Sequence, residues 1–241
     1  MSLSRFIGKI FASLQILRSR AQPSFSQAGE DQVIRYLFNC LGIKNPSYLD
    51  IGTNHPYHYN NTFFFYNRGS VGVCIEPDIR FEKLIRKYRP KDVFINAGVG
   101  VAEAKEADFF VFPGKYSTWN TFSLEEAQKR FQETNIGYKQ SKMPLVKVNE
   151  VIKKHFNSCP NLLSIDVEGW DLEILKSIDF ETYRPEVICI ESVTFSLTNN
   201  ENKISGMVEF ITSKGYFVYA DTHINTLFCD MAAFEKAKTQ Y

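Results

Sequence analysis

The sequence predicts an α/β fold built on a doubly wound, mostly parallel sheet of seven strands with an antiparallel terminal hairpin. Short, continuously apolar runs alternate with runs of helical spacing, which is the pattern of parallel strands covered by helices on both faces. The last two apolar runs, 216–219 and 226–229, are separated only by a short turn-like stretch. A reversal that tight joins antiparallel strands, so we expect a hairpin at one edge of the sheet.

The same runs predict the order of the elements. Strands are expected at 48–51, 71–75, 93–95, 162–165 and 187–190, ahead of the closing pair. Helices are expected at 28–38, 61–67, 79–88, 172–178 and 208–212. Segment 101–150 breaks the alternation, and we interpret it as an insertion that caps the sheet, with a candidate lid at 113–121.

Composition limits the class of protein. The chain has 241 residues, enough for one domain over 23–241 behind a short N-terminal arm. Its formal net charge of +1 provides no overall field for nucleic acid, which we therefore do not expect as a partner. The five cysteines form no CxxC pair and are odd in number, so we expect free thiols and a cytoplasmic location. No apolar run reaches the length of a membrane span.

The arm, residues 1–22, is basic and amphipathic. Phe6, Ile10, Leu14 and Leu17 follow near-helical spacing among four basic residues. One interpretation is a helix packed on the domain or on a second copy in a homodimer. Another is peripheral contact of residues 1–20 with the inner face of a membrane. A signal peptide is disfavoured because Lys9 interrupts its apolar core.

Polar residues follow every predicted parallel strand at its carboxyl end. In open α/β sheets this edge binds the ligand, so we expect a site there. The residues concerned are Asp50, Gly52 and Asn54 at the end of the first strand, Glu76 after the second, Asn96 and Ala97 after the third, Asp166 and Glu168 after the fourth, and Glu191 after the fifth.

The first two strand ends indicate the class of ligand. Glu76 follows Asp50 by 26 residues, and an acid at that position can accept hydrogen bonds from both ribose hydroxyls. The turn contains Gly52 but no G-x-G-x-x-G run, which a dinucleotide would need to seat its pyrophosphate. A cofactor with a ribose and no pyrophosphate is favoured, and S-adenosylmethionine fits that description.

Three motifs resemble those of the FkbM methyltransferase family. They are YLDIGTNHPYHYNNTFFFYNRGSVGVCIEPD, which contains D-I-G-x-N-x-P and I-E-P, the upstream FSQAGEDQVI, and the downstream LLSIDVEGWDLEILKSID. Together they lie between residues 25 and 191. Asn60 and Ser70 depart from the family pattern, at positions where Ser and Trp are frequent.

The resemblance implies a Rossmann-like class I methyltransferase fold and S-adenosylmethionine-dependent O-methylation of a hydroxyl on a sugar, glycoconjugate or polyketide-like product. The acceptor would be a small molecule or a glycan. By residue, it implies that Asp50, Gly52, Asn54 and Asn61 line the methionine moiety, that Glu76 binds the ribose, that Asn96 and Ala97 border the adenine, and that Asp166 lies beside the cofactor's amino group or the acceptor hydroxyl.

A neutral hydroxyl must lose its proton during methyl transfer, so the site needs a general base. The candidates, in falling order, are Asp166, His55 and Glu191. A divalent metal is a further option: Asp166, Glu168 and Glu191 could form an oxygen-rich Mg²⁺ site, although no spacing rule brings them together.

Aromatic residues near the candidate lid have two interpretations. Tyr116, Trp119 and Phe122 could stack on a sugar ring, or they could pack the insertion onto the sheet.

Two other functions also remain for the chain. An NAD-type oxidoreductase is disfavoured by the missing glycines, and a non-catalytic cofactor-binding protein is disfavoured by the presence of Asp50, Glu76 and Asp166.

Overall fold

The computed structural model describes residues 22–194 and 201–239. The predicted basic arm lies outside the described residues except for Gln22, and so do the lipid and homodimer contacts expected of it.

Ten described strands form two sheets. They are β1 (Tyr48–Ile51), β2 (Gly72–Ile75), β3 (Val93–Ile95), β4 (Gly98–Val99), β5 (Glu106–Val111), β6 (Lys139–Val146), β7 (Leu162–Ile165), β8 (Val187–Glu191), β9 (Tyr216–Asp221) and β10 (Asn225–Asp230). The large sheet has seven strands in the order β3-β2-β1-β7-β8-β10-β9. Its first five strands are parallel, and β10 pairs antiparallel with both β8 and β9. The predicted fold class is confirmed.

Eight α-helices are described beside these strands. They are α1 (Glu30–Cys40), α2 (Phe63–Tyr66), α3 (Glu82–Tyr88), α4 (Leu124–Thr134), α5 (Val148–His155), α6 (Asp171–Lys176), α7 (Met207–Ser213) and α8 (Met231–Lys238). The last of these has no counterpart among the sequence predictions, because its apolar residues follow no clear stripe.

Both faces of the large sheet are buried. Within β1 the side chains alternate, as strand geometry requires. Leu49 and Ile51 join one apolar cluster with β7, β8 and α6, whereas Tyr48 joins a second cluster with α1 and α2. This two-sided burial explains why the strands read as continuous apolar runs in the sequence.

Segment 101–150 folds largely as a second, three-stranded sheet in the order β4-β6-β5. β5 and β6 pair antiparallel, and α4 lies between them in the sequence. A small apolar cluster of Phe110, Phe112 and Ala127 holds this sheet to α4. The predicted lid region contains a 3₁₀ helix, Gly114–Trp119. We refer to residues 106–146 as the cap.

Two further features bear on the sequence predictions. All five cysteines are free thiols, and Cys74, Cys189 and Cys229 are buried. No helix within the described ranges is long and apolar enough to cross a membrane.

Candidate active site

A cavity of about 580 Å³ lies at the carboxyl ends of the parallel strands, a volume suited to a small ligand. The cap provides the opposite wall. Most of the predicted site residues line this cavity: Gly52, Asn54, His55, Glu76, Ala97, Asp166, Glu168 and Glu191. Asp50, Asn61 and Asn96 do not.

Gly52 allows the ends of β1 and β7 to approach closely. Its φ of 84° is in the left-handed region, and a Cβ there would lie 1.7 Å from the carbonyl oxygen of Asp166. The backbone amides of Gly52 and Thr53 both donate to the carbonyl of Ile75. The glycine is therefore required by packing between strand ends, whichever ligand is bound.

Glu76 ends β2 with a buried carboxylate that faces the cavity. The amides of Asn54 and Asp78 donate to its two oxygens at 2.6 and 2.7 Å. Burial raises the pKa of Glu76 to about 8, against the effect of these two donors. The carboxyl group is thus held in one orientation by backbone groups of both neighbouring turns.

Asn96 stabilises the chain around Glu76 without lining the cavity. Its side-chain Nδ2 donates to the backbone carbonyl oxygens of Glu76 and Pro77 at 2.8 and 2.9 Å. The next residue, Ala97, is buried and lines the cavity wall. Of the two residues expected to border adenine, Ala97 therefore forms part of the cavity wall, and Asn96 holds the backbone at Glu76 and Pro77.

Asp50 faces away from the cavity because it shares the sheet face of Tyr48. Its Oδ2 accepts hydrogen bonds from Asn60 at 3.1 Å and Thr62 at 2.6 Å, and it forms an ion pair with Arg89 at 3.2 Å. We refer to this as the Arg89 network. The Asp50 carboxylate is part of the interior beneath the turn, and its implied role at the methionine moiety stays a prediction.

Asn61 is also turned inward. It is buried, and its Nδ2 donates to the hydroxyl of Ser164 in β7 at 3.4 Å. The preceding Asn60, a departure from the family pattern, accepts hydrogen bonds from the amides of Thr62 and Phe63 at the start of α2.

Three acids meet where β7 and β8 end, as the metal interpretation required. Among the described residues, Asp166, Glu168 and Glu191 have carboxylate oxygens that all lie within 4.8 Å of one another. Burial, and then repulsion within the group, raises the pKa values of Asp166 and Glu191 well above normal. Burial raises the pKa of Glu168 to about 7. Such a group either shares protons or binds a hard divalent cation.

Arg130 of α4 connects this acid group to the cap. Its side chain is 1% exposed. Nη1 donates to the carbonyl of Trp119 at 2.5 Å, and Nη2 donates to Glu168 Oε2 at 2.7 Å. Thr121 adds a hydrogen bond to the Glu168 carbonyl at 2.7 Å. These contacts hold Glu168 in a left-handed conformation, with φ at 60°.

His55 is oriented by its own turn. Its Nδ1 accepts from the amides of Tyr57 at 3.5 Å and His58 at 3.2 Å. A neutral ring held in this way carries its proton on Nε2 and can donate from there. Burial, and to a lesser degree His58, lowers the pKa of His55. Both features favour a hydrogen-bond donor over a general base.

Aromatic side chains cover much of the cap side. Trp119, Phe122 and Trp170 line the cavity, and the rings of Phe122 and Trp170 are stacked with centroids 5.5 Å apart. Tyr116 does not line it but packs on Trp119. Tyr116 therefore packs within the cap, and stacking of Trp119 or Phe122 on a sugar ring stays a prediction.

Two buried arginines near the site are missing from the sequence predictions. Arg89 and Arg130 are both fully buried, but neither lies in a motif, and arginine is rarely buried. The sequence indicates only that α3 ends at Arg89, because the residue before a proline usually ends a helix; it does not indicate that the arginine is buried.

The chain was compared with family models, solved structures and curated proteins. The family model described as the methyltransferase FkbM domain matches residues 50–218. A crystal structure of a candidate RNA methyltransferase from Pyrococcus horikoshii aligns with a TM-score of 0.41 and 11% sequence identity, covering 91% of this chain and 98% of that one. The search of curated proteins gave no match.

Proposed function

The chain belongs to the FkbM methyltransferase family, and from that premise we propose that it transfers a methyl group from S-adenosylmethionine to a hydroxyl oxygen. The acceptor class we propose is a sugar, a glycoconjugate or a polyketide-like product. The observation that carries the proposal is the buried Glu76 carboxylate in the same cavity as the acid group of Asp166, Glu168 and Glu191.

The cavity fits the chemistry of this cofactor. Glu76 presents a fixed carboxylate to a pair of ribose hydroxyls, and Pro77, Ala97 and Phe81 supply an apolar wall for a flat base. The turn after β1 offers no glycine-rich cradle for pyrophosphate. When bound, S-adenosylmethionine supplies a methyl group on a positively charged sulfur, which leaves as the neutral thioether.

Asp166 is the residue we assign as general base. It follows β7 directly and adjoins the Gly52 turn, since the Asp166 amide donates to the Ile51 carbonyl at 3.0 Å. As the new carbon–oxygen bond forms, the hydroxyl proton passes to the Asp166 carboxylate. A raised pKa suits that role, because a carboxylate with an ordinary pKa is a weak base toward an alcohol. His55 is set to donate a hydrogen bond in the same cavity.

Cofactor binding gives the first test. Isothermal titration should show S-adenosylhomocysteine binding to the wild-type protein and at least about tenfold weaker binding to Glu76→Gln, because a charged acceptor of two hydrogen bonds is lost. Glu82→Gln, on α3 and outside the cavity lining, is the matched control. Equal affinity in wild type and Glu76→Gln refutes the assigned site. Saturable binding of NADH instead supports the oxidoreductase interpretation.

Turnover gives the second test. Radiolabelled methyl transfer into an extract of the source cells should fall by roughly 10²–10⁴-fold in Asp166→Asn. S-adenosylhomocysteine affinity should stay within a few fold of wild type. Measuring the rate with added Mg²⁺ and with EDTA separates two roles for the acids. A rate lost in EDTA assigns the group to a cation, and an unchanged rate assigns it to proton transfer.

A further inference from the structure

We propose that Gln27 is a specificity-determining residue that binds the methyl acceptor, an inference that rests on the proposed function. Gln27 lies in the loop before α1 and lines the cavity, with its side chain exposed at the rim. Its assignment to the acceptor follows from where the loop is attached, from how firmly it is held, and from the chemistry of a primary amide.

The Glu30 side of the loop is attached at β10, four strands away from β2 and Glu76. Glu30 bonds to Thr222 and Asn225, which flank the hairpin turn before β10, and Ile224 of the same turn lines the cavity. From β2 to β10 the sheet order crosses four strand spacings, which is roughly 19 Å at about 4.8 Å each. With the ribose assigned to Glu76 after β2, the adenine to the wall at Ala97, and the general base to Asp166 after β7, the β10 end remains for the acceptor.

Asp31 braces the loop on the N-terminal side of Gln27. It is fully buried. Its Oδ2 accepts from the amide of Phe25 at 2.7 Å, and its Oδ1 accepts from the hydroxyls of Ser24 at 2.7 Å and Ser26 at 3.2 Å. The carbonyl of Phe25 in turn accepts from the amide of Asn60 at 2.8 Å.

Glu30 braces the other side. It is also fully buried, and its Oε2 accepts from the amide of Ala28 at 2.8 Å. Its Oε1 accepts from Thr222 Oγ1 at 2.7 Å and Asn225 Nδ2 at 2.9 Å. Burying a carboxylate is costly unless it is fully hydrogen-bonded, and here two such groups hold Ser24, Phe25, Ser26 and Ala28, the four residues around Gln27. Gln27 is the residue of that loop that lines the cavity.

The primary amide suits a hydroxylated acceptor. It offers two N–H donors and one carbonyl acceptor without a charge, so it can bond to two neighbouring hydroxyl groups of a ring. Ile224 provides an apolar contact beside it. This pairing of an amide with an apolar surface matches a sugar, which has polar edges and apolar faces.

Kinetics against the acceptor test the proposal. Initial rates are measured with labelled S-adenosylmethionine at saturation, and an extract of the source cells is the acceptor, varied by dilution. Gln27→Ala should raise the apparent KM for the extract at least tenfold, change kcat less than threefold, and keep the Kd for S-adenosylhomocysteine within twofold. Gln132→Ala, an exposed glutamine of α4 outside the cavity lining, should match wild type in all three.

The alternatives give different results. An unchanged KM in Gln27→Ala overturns the proposal, and so does a parallel rise in the Kd for S-adenosylhomocysteine, which would place Gln27 on the cofactor. Glu30→Gln, which weakens the brace, should raise KM in the same direction as Gln27→Ala, and an unchanged KM in that variant contradicts the bracing argument. A wild-type protein that neither binds S-adenosylhomocysteine nor transfers methyl fails the proposed function itself, which is a distinct outcome.

Discussion

Among the described residues, Arg89 and Arg130 are the two largest fully buried side chains, and they hold carboxylates in very different parts of the molecule. Arg89 lies beneath the β1 turn, where it pairs with Asp50 and, at 2.7 Å, with Asp92. Arg130 lies in the cap, where it pairs with Glu168 at the cavity wall. The first arginine is enclosed by interior side chains, whereas the second joins two walls of the active site.

The difference is one of solvent access. The side chains of Asp50 and Asp92 are 5% and 0% exposed, so their charges depend on Arg89 and on a few hydroxyl and amide donors. Those of Glu168 and Glu126, the carboxylates nearest Arg130, are 20% and 21% exposed. Water can therefore replace part of what Arg130 provides. The Arg89 network should serve stability, and Arg130 should serve the shape of the site.

Removal of Arg89 should have the largest effect. Arg89→Met leaves two buried carboxylates without their cation, which typically lowers the free energy of unfolding by about 3–5 kcal/mol. Urea denaturation followed by circular dichroism measures the change. Arg86→Met, one turn earlier on α3 and paired with Glu82 at the surface, is the control and should cost less than about 1 kcal/mol. Equal losses in the two variants would contradict an interior role for Arg89.

Removal of Arg130 should cost less stability and change the cavity more. Arg130→Met should lower the free energy of unfolding by roughly 1–3 kcal/mol, because partly exposed acids are rehydrated. The chain has two tryptophans, Trp119 and Trp170, and both line the cavity. Acrylamide should therefore quench the folded Arg130→Met variant more strongly than wild type. If quenching is unchanged, Arg130 does not hold Trp119, and the proposed contrast between the two arginines fails.

The sequence predicts the strand ends of the site better than it predicts the surroundings of either arginine. The strand ends are accessible to sequence reasoning because apolar runs stop at polar residues, and parallel strands bring those stops to one edge. That argument alone predicts Gly52, Glu76 and Asp166 at the site, and all three line the cavity. The α/β fold follows from the same alternation, and the structure confirms it.

The Arg89 network and the cap do not follow from local patterns. Arg89 meets Asp50 across 39 residues, and Arg130 meets Glu168 across 38. Contacts of that range depend on how helices pack, which no periodicity records. The orientation of Asp50 does follow from strand alternation, since Leu49 and Ile51 occupy the other face of the sheet.

Glu76 extends the comparison of the two arginines, because its buried carboxylate is held by two backbone amides and not by an arginine. Its pKa is raised by burial to about 8, against 4.5 in an unfolded chain, so the folded protein keeps the proton between these values. The stability that Glu76 contributes is present below pH 4.5 and is lost as the pH rises through about 8. Ribose hydroxyls donate to the ionised form of Glu76, so the affinity for the cofactor should rise as the pH rises, whereas this contribution to stability falls.

Affinity for S-adenosylhomocysteine should therefore increase by roughly tenfold between pH 7 and pH 8.5, with little further change above that range. Isothermal titration at several pH values measures it. Glu76→Gln cannot ionise at this position and keeps only the pH dependence of the ligand and of other groups, so its weaker binding should show a much flatter profile. Parallel profiles for the two proteins would mean that Glu76 is already ionised when the site is empty. In that case the two amide donors stabilise the charge as effectively as Arg89 does for Asp50, and the contrast between backbone and arginine support would disappear.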